Sequence, residues 1–339
     1  MADLLTTAAL SVLVVSFGVG IVVGLTGMGG GALMTPALIF LGVNPSAAVA
    51  NDLVAASVNK SVGAGVHWRH GKPNMRLAAM LMVTSVPTAF AGAFIVEAVG
   101  GGGEESESFL TYAIGVALLF TASTYALRMY LQLRYVTSGN TISEDDPPIR
   151  PVPTLLVGAV GGLLVGITSV GSGSLIMVAL LLLYPTLSAI KLVGTDLVQA
   201  VPLVLSAAIS HVLVTGVDWS VLIPLIVGGT PGTFLGARLA AWVSQSVIRR
   251  GIVIVLTLTG LKMLGTPPEY VGMIGAAMLL LGPLAYLPAF VHQRYGISLT
   301  VAAGAVALYA IGGLAYTAVA RRIVLRFGER RMALAGGWV

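Results

Sequence analysis

The sequence predicts an all-α polytopic membrane protein, built from two duplicated helical halves with broken or re-entrant half-helices and a C-terminal helical extension. The first observation is composition: 57% of the residues are hydrophobic and 9% are charged, whereas soluble domains carry about 25% charged residues. The second is a glycine-rich block, Gly24–Gly31, which returns in altered form as Gly166–Gly173 within a long apolar stretch. Because lipid cannot satisfy backbone amides, such interruptions persist at membrane depth only where protein or water covers them.

Composition and charge exclude several classes of protein. The chain has no cysteine, which rules out disulfides, thiolate metal sites and cysteine catalysis. Its net charge of +5 comes from basic residues that lie mostly between or beside apolar spans, as topogenic charges do, so no nucleic-acid partner is expected. No Lys or Arg precedes the first apolar run, so this run is predicted to be a membrane segment of a multi-pass cell-membrane protein rather than a cleaved signal.

Apolar segments follow one another along the whole chain. A membrane span needs about 20 apolar residues. Two segments are shorter and each follows a glycine block, so they are predicted to be half-helices or re-entrant elements. The predicted helical segments are 6–24, 31–42, 46–67, 76–97 and 109–132, then 153–168, 173–184, 188–214, 219–242 and 250–264, and finally 270–291 and 298–319.

The two halves align residue by residue. The glycine blocks match at a shift of 142, as do Ser46 and Ser188, and later residues match at 144, which pairs Asp52 with Asp196 and His67 with His211. Matching rare polar residues at one shift indicates duplication rather than shared hydrophobicity. The predicted divisions are a first membrane repeat at 1–136, a hydrophilic linker at 137–152, a second membrane repeat at 153–265, and a C-terminal membrane extension with a basic tail at 266–339.

The relative orientation of the halves stays open at this point. Parallel halves would place 11 Lys and Arg residues inside and 3 outside, and inverted halves would place 9 inside and 5 outside. The positive-inside rule is a bias and favours parallel halves, but inverted repeats are common in transport folds. Both arrangements put the Arg69–Arg76 loop inside and the acidic Glu104–Glu107 loop outside.

The glycine blocks are predicted to bind a small anion. Glycine permits positive φ and close approach of a ligand to the backbone, and the N-terminus of a following helix attracts anions. The alternative is tight helix packing, which is the preferred interpretation for Gly158–Gly162 and Gly228–Gly236. The block residues assigned to the site are Thr26, Gly27, Gly29, Gly30, Gly31, Thr168, Ser169, Gly171, Ser172, Gly173 and Ser174.

Polar residues within the spans are the second group assigned to the site. Acidic residues inside a span usually face a cavity or a partner, although near a helix N-terminus they also favour the helix dipole. A mid-span lysine would neutralise an anion or pair with an aspartate. These residues are Asn51, Asp52, Asn59, Lys60, Thr195 and Asp196. His67 and His211 close their helices and are expected to stabilise a helix dipole or to anchor the interface, and no metal site or cofactor is predicted.

With these marks the chain resembles the TauE/SafE family of membrane proteins, known as sulfite and organosulfonate exporters. The marks in the first copy are Gly24–Gly31, Pro36, Gly42 with Pro45, Ala47–Asp52 and His67 before a basic loop. Those in the second copy are Gly166–Gly173, Ala189, Gly194–Asp196 and His211, so the likeness covers roughly residues 5–265. The resemblance implies export of small sulfur-containing anions such as sulfite or sulfoacetate.

The leading hypothesis is therefore a secondary transporter that exports a small anion and is not an enzyme, with protons carried by Asp52 or Asp196 as the candidate coupling ion. A passive anion channel is one alternative. An intramembrane aspartyl protease is another, since two aspartates on different helices could share a proton as a catalytic dyad. One observation disfavours the protease. Asp196 follows Gly194-Thr195, whereas the resembling motif of such enzymes is Gly-x-Gly before the aspartate.

Overall fold

The computed structural model describes residues 7–26, 30–70, 73–100, 103–137, 147–171, 175–185, 189–239 and 245–279, together with 173, 187, 242, 296, 298 and 301. The chain divides into two compact units, Met1–Val271 and Gly272–Val339. Throughout these described residues the regular structure is helical and no strand occurs, so the predicted all-α class is confirmed.

The first unit contains the helices that position the site. Six of the described helices are long and apolar enough to cross a membrane. The helices are α1 Thr7–Thr26, α2 Gly31–Phe40, α3 Pro45–His70, α4 Met75–Gly100, α5 Glu104–Thr137, α6 Pro151–Thr168, α7 Leu175–Leu183, α8 Ala189–Val214, α9 Trp219–Leu239 and α10 Gln245–Met263. Residues 268–279 are also helical, and most of the two last predicted spans lies outside the described residues.

Two helices of the first half, α3 and α5, are longer than predicted because their polar ends continue the helix beyond the apolar run. The predicted acidic loop is one example, since Glu104, Glu105 and Glu107 form the first turn of α5. Carboxylates at that position are stabilised by the helix dipole, so they extend the helix instead of forming a loop.

The two short helices lie within the predicted short segments 31–42 and 173–184 and are somewhat shorter than these. α2 has 10 residues and α7 has 9, which is about 15 Å or less at about 1.5 Å per residue. Positions from Gly18 to Leu25 in α1 and from Ala32 to Phe40 in α2 border the same apolar groove, and Val12 belongs to the same buried cluster as Leu38. α2 therefore turns back along α1, and the pair forms a re-entrant hairpin.

Contacts between α4 and α8 fix the orientation of the two halves. The Asn74 N–H donates to Thr195 Oγ1 at 3.0 Å, and Ser206 Oγ donates to the Val86 carbonyl at 2.9 Å. Since the contacts advance along both helices together, α4 and α8 run in the same direction. α4 follows α3 after a short turn and must cross back against it, so α8 runs opposite to α3. The halves are thus inverted, and the charge count that favoured parallel halves was misleading.

The first helix of each half packs along the fourth helix of the other. A Cβ at Gly24 of α1 would overlap the Thr233 carbonyl of α9, and one at Gly166 of α6 would overlap the Ala89 carbonyl of α4. Small residues permit this close approach of helix backbones. These contacts agree with the packing interpretation of Gly158–Gly162 and Gly228–Gly236. The same interpretation applies to Gly24 and Gly166, which begin the two glycine blocks.

Candidate functional site

The two helix breaks meet in the middle of the first unit. A Cβ on Gly31, at the start of α2, would overlap the carbonyl oxygen of Ser169 in the second break. Ser169 ends α6 in the left-handed conformation with φ 61° and ψ −3°, and Gly171 follows at φ 110°. Left-handed backbone is uncommon for residues other than glycine and often marks functional sites. The second break is therefore a sharp turn that lies directly against the first.

Asp52 of α3 ties both breaks together. Thr35 Oγ1 of α2 donates to Asp52 Oδ2 at 2.6 Å, and Ser169 Oγ donates to the same oxygen at 2.7 Å. The Asp52 side chain is only 2% exposed. Hydrogen bonds to an ionised acceptor are shorter and stronger than neutral ones, so a single carboxylate holds α2, α3 and the second break in one arrangement.

Lys60 lies two turns further along α3 and forms a charge cluster with two aspartates. It is 9% exposed and interacts electrostatically with Asp196 and Asp52. Asp196 of α8 accepts a hydrogen bond on Oδ1 from Gln199 Nε2 at 3.1 Å. When all three groups are ionised, the two carboxylates and one ammonium leave the cluster with one net negative charge.

These side chains border a cavity of about 290 Å³ between α1, α3, α8 and α9. The volume is far larger than the roughly 30 Å³ share of a water molecule. A mainly apolar wall with a few convergent polar groups is typical of a small-molecule site. The polar and glycine residues of the wall are Gly20, Gly24, Gly30, Asp52, Asn59, Lys60, Gly173, Asp196, Gly229 and Thr233.

Six residues assigned from the sequence border this cavity: Gly30, Asp52, Asn59, Lys60, Gly173 and Asp196. The Asn59 Oδ1 also accepts a hydrogen bond from Thr230 Oγ1 at 3.1 Å. Gly31, Ser169 and Gly171 shape the breaks behind the wall. Gly27, Gly29, Ser172 and Ser174 lie outside the described residues, so their assignment stays a prediction.

The two threonines of the blocks are placed differently from the prediction. Thr26 Oγ1 donates to the Val22 carbonyl at 2.8 Å, and Thr168 Oγ1 donates to the Leu164 carbonyl at 2.6 Å. Threonine in a helix commonly bonds the carbonyl four residues earlier. Each hydroxyl bonds its own helix, and neither residue borders the cavity, so their assignment as ligand donors stays a prediction.

Asn51 and Thr195 also lie behind the cavity wall, fully buried. Asn51 Nδ2 donates to the Ala47 carbonyl at 2.8 Å, and Thr195 Oγ1 donates to the Lys191 carbonyl at 2.7 Å. Thr195 Oγ1 also accepts the Asn74 N–H. Asn51 Oδ1 has no hydrogen-bond partner among the described residues. The structure thus places both side chains in helix contacts, and their assignment as direct ligands stays a prediction.

Three side chains that organise the site are not among the residues assigned to it from the sequence. Thr35 carries the one hydroxyl in the otherwise apolar helix α2. That isolated polar residue could have indicated a role in the site. Gln199 lies one turn after Asp196, a spacing that brings the two side chains together. His211 is 2% exposed and its Nε2 lies 2.6 Å from the Gly166 carbonyl, so it joins α8 to α6. It lies in the last turn of α8, and the expected roles in dipole stabilisation or interface anchoring stay predictions. The side chain of His67 lies outside the described residues.

Comparison with known proteins gives a consistent result. A family model described as "Sulfite exporter TauE/SafE" matches residues 12–263. The "Probable membrane transporter protein YjnA" of Bacillus subtilis (strain 168) is 33% identical over 256 residues, which cover 76% of this chain and 100% of that protein. The "Probable membrane transporter protein YdhB" of the same strain is 23% identical over 75% of this chain and 99% of its own length. A "Probable membrane transporter protein" of Xylella fastidiosa (strain 9a5c) is 29% identical over 67% of this chain and 83% of its own. No solved structure matches the chain.

Proposed function

Because the chain belongs to the TauE/SafE family of membrane transporters and is not an enzyme, we propose that it exports a small oxyanion such as sulfite or an organosulfonate. The observation that carries the proposal is Lys60, the only Lys or Arg among the described residues that border the cavity. A buried ammonium in a membrane span is costly and is usually retained for a partner or a pathway. Here it offers an anion a fixed positive charge beside two carboxylates.

The start of α2 adds a second attraction for an anion. The Leu33 and Met34 amides both donate to the Gly30 carbonyl, at 3.0 Å and 2.9 Å, so the helical ladder begins there. The amides of Gly31 and Ala32 precede these bonds and belong to the positive end of the helix dipole. Gly30 borders the cavity next to Asp52, which directs this end of the dipole at the proposed ligand.

The charge of the cluster supports coupling to protons. An anion that enters while Asp52, Asp196 and Lys60 are ionised meets one net negative charge, and its repulsion is strong where the surroundings exclude water. A proton on one carboxylate removes that charge, so anion and proton bind together and move in the same direction. The hydroxyls of Thr35 and Ser169 both donate to Asp52 Oδ2. The other carboxylate oxygen, Oδ1, lies on the Gly30 side and is left to take the proton.

Outward movement follows from the membrane potential. A loaded cavity that carries sulfite as a dianion with one proton retains negative charge. An inside-negative potential drives such charge outward with about 2.3 kcal/mol per charge per 100 mV. Export is therefore the favoured direction for the proposed substrate.

The test is uptake of radiolabelled sulfite by proteoliposomes that contain the purified full chain. Lys60→Gln should raise the half-saturating sulfite concentration at least about tenfold, the factor that corresponds to roughly 1.4 kcal/mol. The matched control is Lys262→Gln, because Lys262 lies over the Phe40 ring at 5.4 Å and does not border the cavity. Its half-saturation should equal that of the native chain.

Two results would contradict the proposal. Native protein that moves neither sulfite nor an organosulfonate would refute the substrate class, and equal effects of the two lysine substitutions would refute the site. Counterflow separates a carrier from a passive channel, because only a carrier exchanges internal unlabelled sulfite for external labelled sulfite.

A further inference from the structure

The inverted halves place equivalent surfaces at opposite ends of the molecule, and only one end is open. Positions 229, 233 and 237 of α9 border the cavity. Their counterparts in α4, at the shift of 144, are Ser85, Ala89 and Ala93, which are 0%, 0% and 1% exposed. Ser85 Oγ lies 3.5 Å from Gln199 Oε1 of α8. The cavity thus has a closed counterpart on the other side of the breaks.

The open and closed ends differ in charge. Lys60 and Asn59 of α3 border the open cavity, whereas their counterparts in α8 are Val204 and Leu203, which are 1% and 0% exposed. The two aspartates are each other's counterparts and serve both ends equally. If the closed end opened, an anion entering there would meet Val204. An anion in the present cavity meets the ammonium of Lys60 at the equivalent position.

A matched pair of contacts distinguishes the two halves. Thr195 Oγ1 accepts the Asn74 N–H at 3.0 Å, and this bond joins α4 to α8. The counterparts of these two residues are Asn51 and Asp218. Asn51 is fully buried and its Oδ1 has no partner among the described residues, which leaves a buried acceptor that the fold would ordinarily satisfy.

We propose that a second state exists in which the two halves exchange these contacts, that Asn51 Oδ1 then accepts the Asp218 N–H, and that Lys60 holds the anion only in the present state. This inference rests on the proposed function for the identity of the anion. In the second state α9 closes on α3 while α4 parts from α8. Lys60 then gives the two states unequal affinity for one anion, and the end on the side of the α3–α4 turn is the loading end.

The first test measures sulfite half-saturation from each side of the membrane in vesicles of known orientation. Saturation from the loading end should need roughly tenfold less sulfite than from the other end. Lys60→Val introduces the residue found at the counterpart position, and it should bring the ratio of the two half-saturating concentrations to about one. The double substitution Lys60→Val with Val204→Lys should reverse that ratio. An unchanged ratio in Lys60→Val overturns the assignment of Lys60.

The second test detects the two states directly and does not depend on transport. The chain has no cysteine, so introduced cysteine pairs can be cross-linked without any reaction at native cysteines. The pair Asn74→Cys with Thr195→Cys should cross-link in the present state, and the pair Asn51→Cys with Asp218→Cys should cross-link in the second state. Sulfoacetate, an organosulfonate, is the ligand in this test because sulfite itself cleaves disulfides. It should raise the first yield and lower the second, and both shifts should vanish in Lys60→Val.

The outcomes separate the two proposals. Failure of the native chain to move sulfite, with both pairs cross-linking, would refute the substrate and leave the two states in place. Cross-linking of the Asn74 and Thr195 pair alone, in the presence and absence of sulfoacetate, would overturn the second state. A sulfoacetate-dependent shift that persists in Lys60→Val would overturn the role of Lys60.

Discussion

Removing the hydroxyl of Ser169 should destabilise the protein by an amount that depends on the replacement. The hydroxyl donates to Asp52 Oδ2 at 2.7 Å, and the residue holds φ at 61°. Alanine removes the hydrogen bond and keeps a side chain in the left-handed region. Glycine removes the same bond but adopts this backbone without steric cost.

The expected magnitudes follow from these two terms. A hydrogen bond to a charged group contributes about 1.5–3 kcal/mol, so Ser169→Ala should lower the free energy of unfolding by about that much. A residue other than glycine in the left-handed region costs about 1–2 kcal/mol, so Ser169→Gly should recover roughly 1 kcal/mol of the loss. Thr35→Val removes the other donor to the same oxygen and should cost about 1.5–3 kcal/mol.

The assay is unfolding of the purified protein in mixed micelles with increasing fractions of denaturing detergent, followed by loss of helical circular dichroism. Ser11→Ala is the matched control, because its hydroxyl donates to the Thr7 carbonyl at an exposed position. That variant should match the native chain within about 0.5 kcal/mol. The reasoning is refuted if Ser169→Gly is less stable than Ser169→Ala, or if neither Ser169→Ala nor Thr35→Val differs from the control.

Three further predictions concern the breaks, the start of α3 and the carboxylate. Gly31→Ala should prevent accumulation of folded protein, because its Cβ would overlap the second break, whereas Gly18→Ala, with open space at that position, should fold normally; size-exclusion chromatography distinguishes the two. Glu107→Gln should cost about 1.5–3 kcal/mol, because Glu107 accepts the backbone N–H at the start of α3 at 2.9 Å; the exposed Glu105→Gln loses only the helix-dipole interaction and should cost at most about 1 kcal/mol, and equal effects in detergent unfolding would contradict this. Asp52→Asn should abolish the sulfite-dependent change in internal pH of proteoliposomes, read with a pH-sensitive dye, and a persisting change would exclude Asp52 as the proton carrier.

The helical class and the two interruptions could be predicted because apolar length and glycine clusters are local properties of the sequence. Asp52, Lys60 and Asp196 could be predicted for the same reason, since a charge within an apolar run is visible without any knowledge of packing. α2 could be predicted as a half-helix from its length, but its return along α1 depends on tertiary contacts with α3 and α10.

Other features required the three-dimensional arrangement. Thr26 and Thr168 satisfy their hydroxyls on their own helices, and the sequence does not distinguish this from a ligand contact. The bond from Ser169 to Asp52 joins residues 117 positions apart, so no local pattern reveals it. Counting basic residues failed to reveal the inversion because that rule reports a bias in the loops, whereas the direction of α8 against α3 is set by contacts within the bilayer.

The exchange of partners between halves constrains how the chain is made. α1 packs along α9 and α6 along α4, so α1 is synthesised well before its main neighbour, which lies near the end of the second half. Its close glycine contacts cannot form until more than 200 further residues have been synthesised, and contacts that distant in sequence form slowly. A nascent chain halted after the first half would expose the glycine face of α1 to lipid, so assembly is completed only after both halves have entered the bilayer.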